Sequence, residues 1–244
     1  RLERLRVPVV LSSSKTVAEM SALTRELRLP EAPFISENGG TIHWPQPLRR
    51  QREADTVPGR PAVARMQRTT ILAVLDSLKP QFRFRSFADL GVEGVMASTD
   101  LPREKAERAC QRQSTEPLLW DDAETRLTSF QELLTQQNLT LTRGGRFWHV
   151  AGHATKGQGM QEVADRYREI FADDITTVAI GDSPIDQSML DIADYPIGIP
   201  GVDGRLQVQV APRQGIVADA AGAAGWASAM GQLLDQLGFH ETNQ

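Results

Sequence analysis

The chain has 244 residues, 40% hydrophobic and 24% charged. That is enough for one large or two unequal domains, and the composition excludes wholesale disorder. A net charge of −4 and a pI near 5.7 give no electrostatic footprint for nucleic acid. The single cysteine, Cys110, excludes a disulfide framework and any cysteine-based zinc site. No apolar run reaches the roughly 18–20 residues of a membrane helix. The expected setting is the reducing cytoplasm, without nucleic-acid or membrane partners. Oligomeric state is left open.

The chain opens at Arg1 on a charged string without Met, RLERLR, so an upstream segment stays open. Residues 7–11 (VPVVL) predict a strand buried on both faces of a parallel sheet. Ser12-Ser13-Ser14-Lys15-Thr16 follows, and then Val17, Met20, Leu23 and Leu27 recur at helical spacing. Strand, hydroxyl-rich turn and helix make half of a βαβ unit. Residues 32–35 predict the next strand. Asn38-Gly39 signals a tight turn into a returning strand over 41–44. Residues 46–61 carry Pro47, Pro58 and Pro61 with Arg49, Arg50, Arg52 and Arg60 and show no periodicity. They read as a crossing into a second unit, their arginines forming a solvated face or, alternatively, a phosphate patch.

The middle third predicts a helix over 68–78 and a half-exposed strand over 81–87. A helix from 99 to about 113 follows, with Pro102 near its first position. Then come a strand over 117–120, a helix over 124–136 and two strands over 139–150 around Gly144-Gly145. This pattern suits a small antiparallel sheet with helices on one face. The parallel pattern then resumes. An amphipathic helix spans 156–171, with Met160, Val163, Ala164, Tyr167, Ile170 and Phe171 on one stripe. A strand over 175–180, a GDSPID turn, a helix over 187–192 and a strand over 195–199 complete it. The expected architecture is a Rossmann-like α/β parallel-sheet core, residues 1–47 and 153–244, split by an inserted α+β cap at 48–152.

Asp182 and Asp186 leave the C-terminal end of a predicted core strand, where open α/β sheets place ligands. Hard oxygen donors there suit Mg²⁺. A local reading stands beside it, with Ser183 as a helix N-cap, Pro184 at N1 and Asp186 at N3. Residues 12–15 likewise end a strand and open a helix, which makes an anion site or simply a capped helix. Lys156 opens another helix, and a lone lysine in that place is ordinarily solvated. Gly157-Gln158-Gly159 lacks the third glycine of a dinucleotide fingerprint, and no P-loop, HExxH or GxSxG occurs. His43, His149, His153 and His240 have no metal-ligand spacing.

The order of these features resembles the haloacid-dehalogenase-like phosphatases that carry a large cap between two core halves. The segments VPVVLSSSKTVAEM, PFISENGGTIHWP, QRQSTEPLLW, GGRFWHVAG followed by KG, and GDSPIDQSML run through nearly the whole chain. Together they resemble the mannosyl-3-phosphoglycerate phosphatase family of Cof-type capped enzymes. The resemblance implies a Mg²⁺-dependent phosphatase that converts mannosyl-3-phosphoglycerate to mannosylglycerate and phosphate through an aspartyl-phosphate. By position, Ser13 matches the hydroxyl that holds the transferring phosphoryl group, with Ser14 and Lys15 beside it, and Lys156 matches the lysine that neutralises its charge. Asp182 matches the acidic metal ligand, with Asp186 supporting the metal site. Asn38 and Gly39 are expected at the cleft border, and Arg112, Glu116, Arg146 and His149 are cap candidates for the small sugar–glycerate phosphate. The family usually has Asn where this chain has Ile185. Its first motif, Asp-x-Asp-Gly-Thr, is expected upstream of Arg1 and supplies the nucleophile and the general acid/base. The alternatives are a capped phosphatase for another sugar phosphate or for glucosyl-3-phosphoglycerate, or a non-catalytic phosphosugar-binding protein.

Overall fold

A computed structural model describes residues 1–29, 32–48, 65–212 and 214–239. Arg49, Arg50, Arg52, Arg60, Pro58, Pro61 and His240 lie outside the described residues, so the expected linker is described only at its first residues. The chain divides into two compact units, Arg1–Ala154 and Thr155–Gln244. The first unit holds both the expected first core segment and the expected cap.

In the first unit, β1 (Leu11–Ser12) runs parallel to β2 (Phe34–Ser36), which pairs antiparallel with β3 (Thr41–His43). The expected strand over 7–11 shrinks to its last residue, because β2 begins at Phe34 and its ladder reaches back only to Leu11. α1 (Val17–Glu26) starts at Thr16, whose hydroxyl accepts from the Glu19 N–H while the Glu19 carboxylate takes the Thr16 N–H. Thr16 is therefore the cap, and Ser13 and Ser14 are not used for that purpose.

The rest of this unit comprises α2 (Arg68–Leu78), β4 (Phe84–Ser86), α3 (Phe87–Thr99), α4 (Arg103–Cys110) and β5 (Thr115–Trp120). α5 (Leu127–Gln136), β6 (Thr140–Gly144) and β7 (Phe147–Ala151) follow. β4-β5-β7-β6 form an antiparallel sheet. Ile71, Leu75, Leu118, Phe130, Leu134 and Val150 are wholly or almost wholly buried in the core that includes this sheet. The expected strand over 81–87 is cut short at Ser86, which begins α3 through a capping box with Asp89. The expected helix over 99–113 is confined to α4, since Asp100 ends α3 with φ 60° and Gln111 ends α4.

The second unit holds α6 (Lys156–Phe171), β8 (Val178–Gly181), α7 (Gln187–Leu190), β9 (Tyr195–Gly198), β10 (Ile216–Val217) and α8 (Gly222–Gln236). β10, β9 and β8 make a parallel sheet. α6 matches its predicted bounds, but its apolar stripe fades at the end: Val163 and Ala164 are buried while Ile170 and Phe171 are exposed.

Phe130 has no solvent exposure, and its ring lies 5.2 Å from Phe82 and 5.1 Å from Trp120. Phe130→Ala is expected to cost about 3–5 kcal/mol by urea unfolding, from lost burial plus the cavity left behind. A loss under about 1 kcal/mol would contradict this packing.

Candidate active site

The loop after β1 is held by its carbonyls. Ser13 O accepts from the Asn38 N–H at 3.0 Å, and Lys15 O accepts from the Glu37 N–H at 2.9 Å. Ser14 O accepts from the Arg112 guanidinium at 2.7 Å. All three carbonyls are thus engaged by donors from elsewhere in the unit. Ser13 Oγ accepts the Lys15 N–H at 3.3 Å, which leaves its own hydroxyl proton to donate. The N–H groups of Ser13, Lys15 and Thr16 are spent on Ile35 O, Ser13 Oγ and Glu19, so the donors this loop can turn to an anion are the Ser13 and Ser14 hydroxyls and the Ser14 N–H. The Lys15 side chain itself is half-exposed and reaches back to Glu19 at 3.4 Å, a surface pair of little energetic worth.

The partner turn between β2 and β3 is conformationally unusual. Glu37, Asn38 and Gly39 all have positive φ, at 51°, 57° and 101°. Glu37 is 1% exposed, and its carboxylate accepts from the N–H groups of Gln113 and Ser114 and from the Thr115 hydroxyl at 2.7 Å. Asn38 Oδ1 is buried without a partner. Gly39 is buried, and its carbonyl takes Arg65 Nε at 3.2 Å.

In the second unit, Gly181 ends β8 and the chain folds back so closely that a Cβ there would lie 2.5 Å from Asp186 Cβ. Only glycine fits that approach. Asp186 then turns inward: Oδ1 meets Lys156 Nζ at 2.5 Å, while Oδ2 accepts the N–H groups of Asp182 and Ser183 and the Ser183 hydroxyl. Burial alone would raise the Asp186 carboxyl, but the Lys156 ammonium and the backbone donors outweigh it and hold the group below the usual carboxylate range. That stabilisation is present above the ordinary carboxylate pKa and fades as pH falls through the depressed value. Lys156 is 7% exposed, so the ordinary solvated helix-start lysine is excluded here. Asp182 is exposed, and its carboxylate makes no hydrogen bond or ion pair within the described residues. The two aspartates therefore differ in kind. Asp186 braces Lys156 and the loop, whereas Asp182 has oxygens to offer a ligand. Among the described residues, no cluster of three or more His, Cys, Asp or Glu forms a metal cage.

The four cap candidates separate as well. Arg112 is 8% exposed, donates to Thr115 Oγ1 and Ser14 O, and lies 6.0 Å from the Phe87 ring. Glu116 has no exposure and commits Oε2 to Arg68 Nε at 2.6 Å and Oε1 to the Ala88 N–H at 2.7 Å. With both oxygens used, Glu116 organises the segment around it and is not placed as a substrate contact. Arg146, on the β6–β7 turn, is exposed and donates to Ser98 O, with Asp100 at 3.9 Å. His149 has a buried Nδ1 without a partner, and burial, reinforced by the nearby Arg112 charge, pushes its pKa down to about 4. It is neutral at pH 7. Glu37, Thr115 and Arg68 were not among the sequence candidates. The one available signal was an acidic residue lying between an apolar strand and an Asn-Gly turn.

No protein-family model matches the chain. A glucosyl-3-phosphoglycerate/mannosyl-3-phosphoglycerate phosphatase from Persephonella marina is 31% identical over 241 residues, 97% of this chain and 88% of the relative. The protein of the same name from Methanococcoides burtonii is 31% identical over 96% of this chain and 87% of its own length. The chain belongs to this phosphatase family. Its fold matches a haloacid dehalogenase-like hydrolase from B. subtilis with a TM-score of 0.58 at 15% identity, over 97% of this chain and 90% of the other. As a family member the chain is a phosphoric monoester hydrolase on a haloacid-dehalogenase fold.

Two stability outcomes follow from the buried ionisable groups of this phosphatase. Asp186→Asn leaves Lys156 buried without its counter-charge and is expected to cost about 3–5 kcal/mol in urea unfolding at pH 7. Between pH 6.5 and 4, folding must exclude a proton that His149 binds in the unfolded chain, so stability should fall by up to about 3 kcal/mol. In His149→Gln that part of the decline should vanish. An unchanged pH profile would show that His149 titrates normally.

Proposed function

We propose that this phosphatase hydrolyses mannosyl-3-phosphoglycerate to mannosylglycerate and phosphate, with glucosyl-3-phosphoglycerate as its second substrate. The carrying observation is the loop after β1, whose three carbonyls are all engaged by other donors while the Ser13 hydroxyl proton stays free to donate. Both substrates stand in the names of the two relatives at 31% identity. Phosphoryl transfer asks a protein for positioning and charge neutralisation more than for covalent ingenuity. In this reading Ser13 donates to a phosphoryl oxygen, with the Ser14 backbone beside it, and Lys156, braced by Asp186, neutralises negative charge. Asn38 Oδ1 is an acceptor without a donor, and His149 Nδ1 is a ring nitrogen without a partner. Sugar and glycerate hydroxyls both donate and accept, and so suit either atom. Arg146, exposed on its turn, would meet the glycerate carboxylate.

The residues fit a divalent cation in one respect and not in another. Asp182 offers an exposed hard-oxygen carboxylate, whereas both Asp186 oxygens are already committed. Asp182 is accordingly the residue that would hold Mg²⁺. When bound, the ion would neutralise charge on the transferring group.

The test is steady-state hydrolysis by the full-length enzyme, with Mg²⁺ and after chelation. The kcat/KM for both glycosyl-3-phosphoglycerates should exceed that for p-nitrophenyl phosphate by about a hundredfold, the scale of a few well-placed polar contacts. Asp182→Asn should lower kcat by about a thousandfold or more while the protein stays folded. Equal kcat/KM across the three esters would refute the substrate assignment, and full turnover after chelation would refute the metal.

A further inference from the structure

Arg112 belongs to the segment between α4 and β5, yet it donates to a carbonyl of the loop after β1, 98 residues earlier in the chain. Three bonds of one polarity explain how it is held. Arg112 Nε donates to Thr115 Oγ1 at 3.0 Å, and Thr115 Oγ1 donates to Glu37 Oε2 at 2.7 Å. Arg112 Nη2 donates to Ser14 O at 2.7 Å. The hydroxyl of Thr115 thus accepts from a cation and donates to an anion, so each bond polarises the next. Glu37 also takes the Gln113 and Ser114 N–H groups at 2.8 and 3.0 Å. Its own N–H returns to Lys15 O, and the next residue's N–H returns to Ser13 O. Glu37, Thr115 and Arg112 are at most 8% exposed. The circuit therefore closes on the loop from two sides, through Arg112 on Ser14 and through the backbone of Glu37 and Asn38 on Lys15 and Ser13.

Hydrogen-bonding tasks of this kind are sensitive to geometry. If Ser14 O lost Arg112, a carbonyl dipole would be released beside the position proposed for a phosphoryl oxygen, where a negative end repels the ligand. We propose that Glu37, Thr115 and Arg112 form a positioning relay that fixes the Ser13–Lys15 loop in its anion-binding conformation. The inference rests on the phosphate-binding role proposed for that loop. It gives Arg112 a role at one remove from the substrate and gives Glu37 and Thr115 a part in the reaction.

The experiment measures the affinity of inorganic phosphate for the full-length enzyme by calorimetry, alongside the urea unfolding midpoint. Arg112→Lys keeps the buried positive charge, but a single ammonium cannot span both Thr115 Oγ1 and Ser14 O. Phosphate affinity should drop about tenfold in the folded variant, the loss of one charged hydrogen bond. Thr115→Val should do the same, and Thr115→Ser, which restores the hydroxyl, should return affinity to within about twofold of the parent. A purely structural role would move the unfolding midpoints and leave phosphate affinity unchanged. Unchanged affinity in folded Arg112→Lys would overturn the relay, as would equal loss in the Val and Ser variants at Thr115. A parent enzyme that neither binds phosphate nor hydrolyses p-nitrophenyl phosphate would instead remove the phosphatase site on which the relay rests.

Discussion

A charge taken out of water must be given partners in the same place, and this requirement organises the parts of the molecule described here. Among the described residues three carboxylate residues are buried: Glu37, Glu116 and Asp186, at 1%, 0% and 4% exposure. Each has at least one donor on each of its two oxygens. Glu37 takes two backbone N–H groups and a hydroxyl, Glu116 takes Arg68 and the Ala88 N–H, and Asp186 takes Lys156 and the loop after β8. Leaving any of them unpaired would cost several kcal/mol. The surrounding backbone is therefore committed to the conformations that deliver those donors.

The consequences differ at the two loops. At Asp186 the compensation gives rigidity: Lys156 is fixed by the inward carboxylate, which releases Asp182 to face outward. At Glu37 it gives reach, since one side chain ties residues 113–115 to the turn between β2 and β3. The positive φ of Glu37 and Asn38, uncommon for residues with a Cβ, is tolerated where several hydrogen bonds over-determine the turn. Strain and charge compensation sit on the same residues, where a preorganised anion site is wanted. Phosphoryl transfer gains most from donors that need no rearrangement when charge develops.

Parts of this were readable along the chain. The helix over 156–171 was legible because its apolar residues repeat at helical spacing, and the structure adds a capping box of Thr155 and Gln158 at its start. The hairpin around Asn38-Gly39 and the β6–β7 hairpin around Gly144-Gly145 followed from turn chemistry. α3 escaped because Phe82, Phe84 and Ser86 alternate like a strand up to the residue where the helix begins, and Gly91, with φ 58°, interrupts it. The Ser86–Asp89 capping box was the overlooked signal. The β1 expectation ran too far toward the N-terminus because an apolar run does not say where its partner strand starts.

The sequence by itself determined which chemistry was available: a hydroxyl-rich turn after one strand, a lysine at a helix start, two aspartates after another strand, and motifs in a family's order. These are local signals, carried by residue type and short spacing. The tertiary structure decided which of two equivalent-looking residues faces inward. Asp182 and Asp186 are both acidic and four positions apart, and only the fold-back at Gly181 leaves one carboxylate exposed and turns the other inward onto Lys156. Glu116 and Arg112 look like binding groups in the string, yet burial assigns one to an internal ion pair and the other to a carbonyl of a distant loop. Burial depends on residues far apart in the chain, and so no local pattern encodes it.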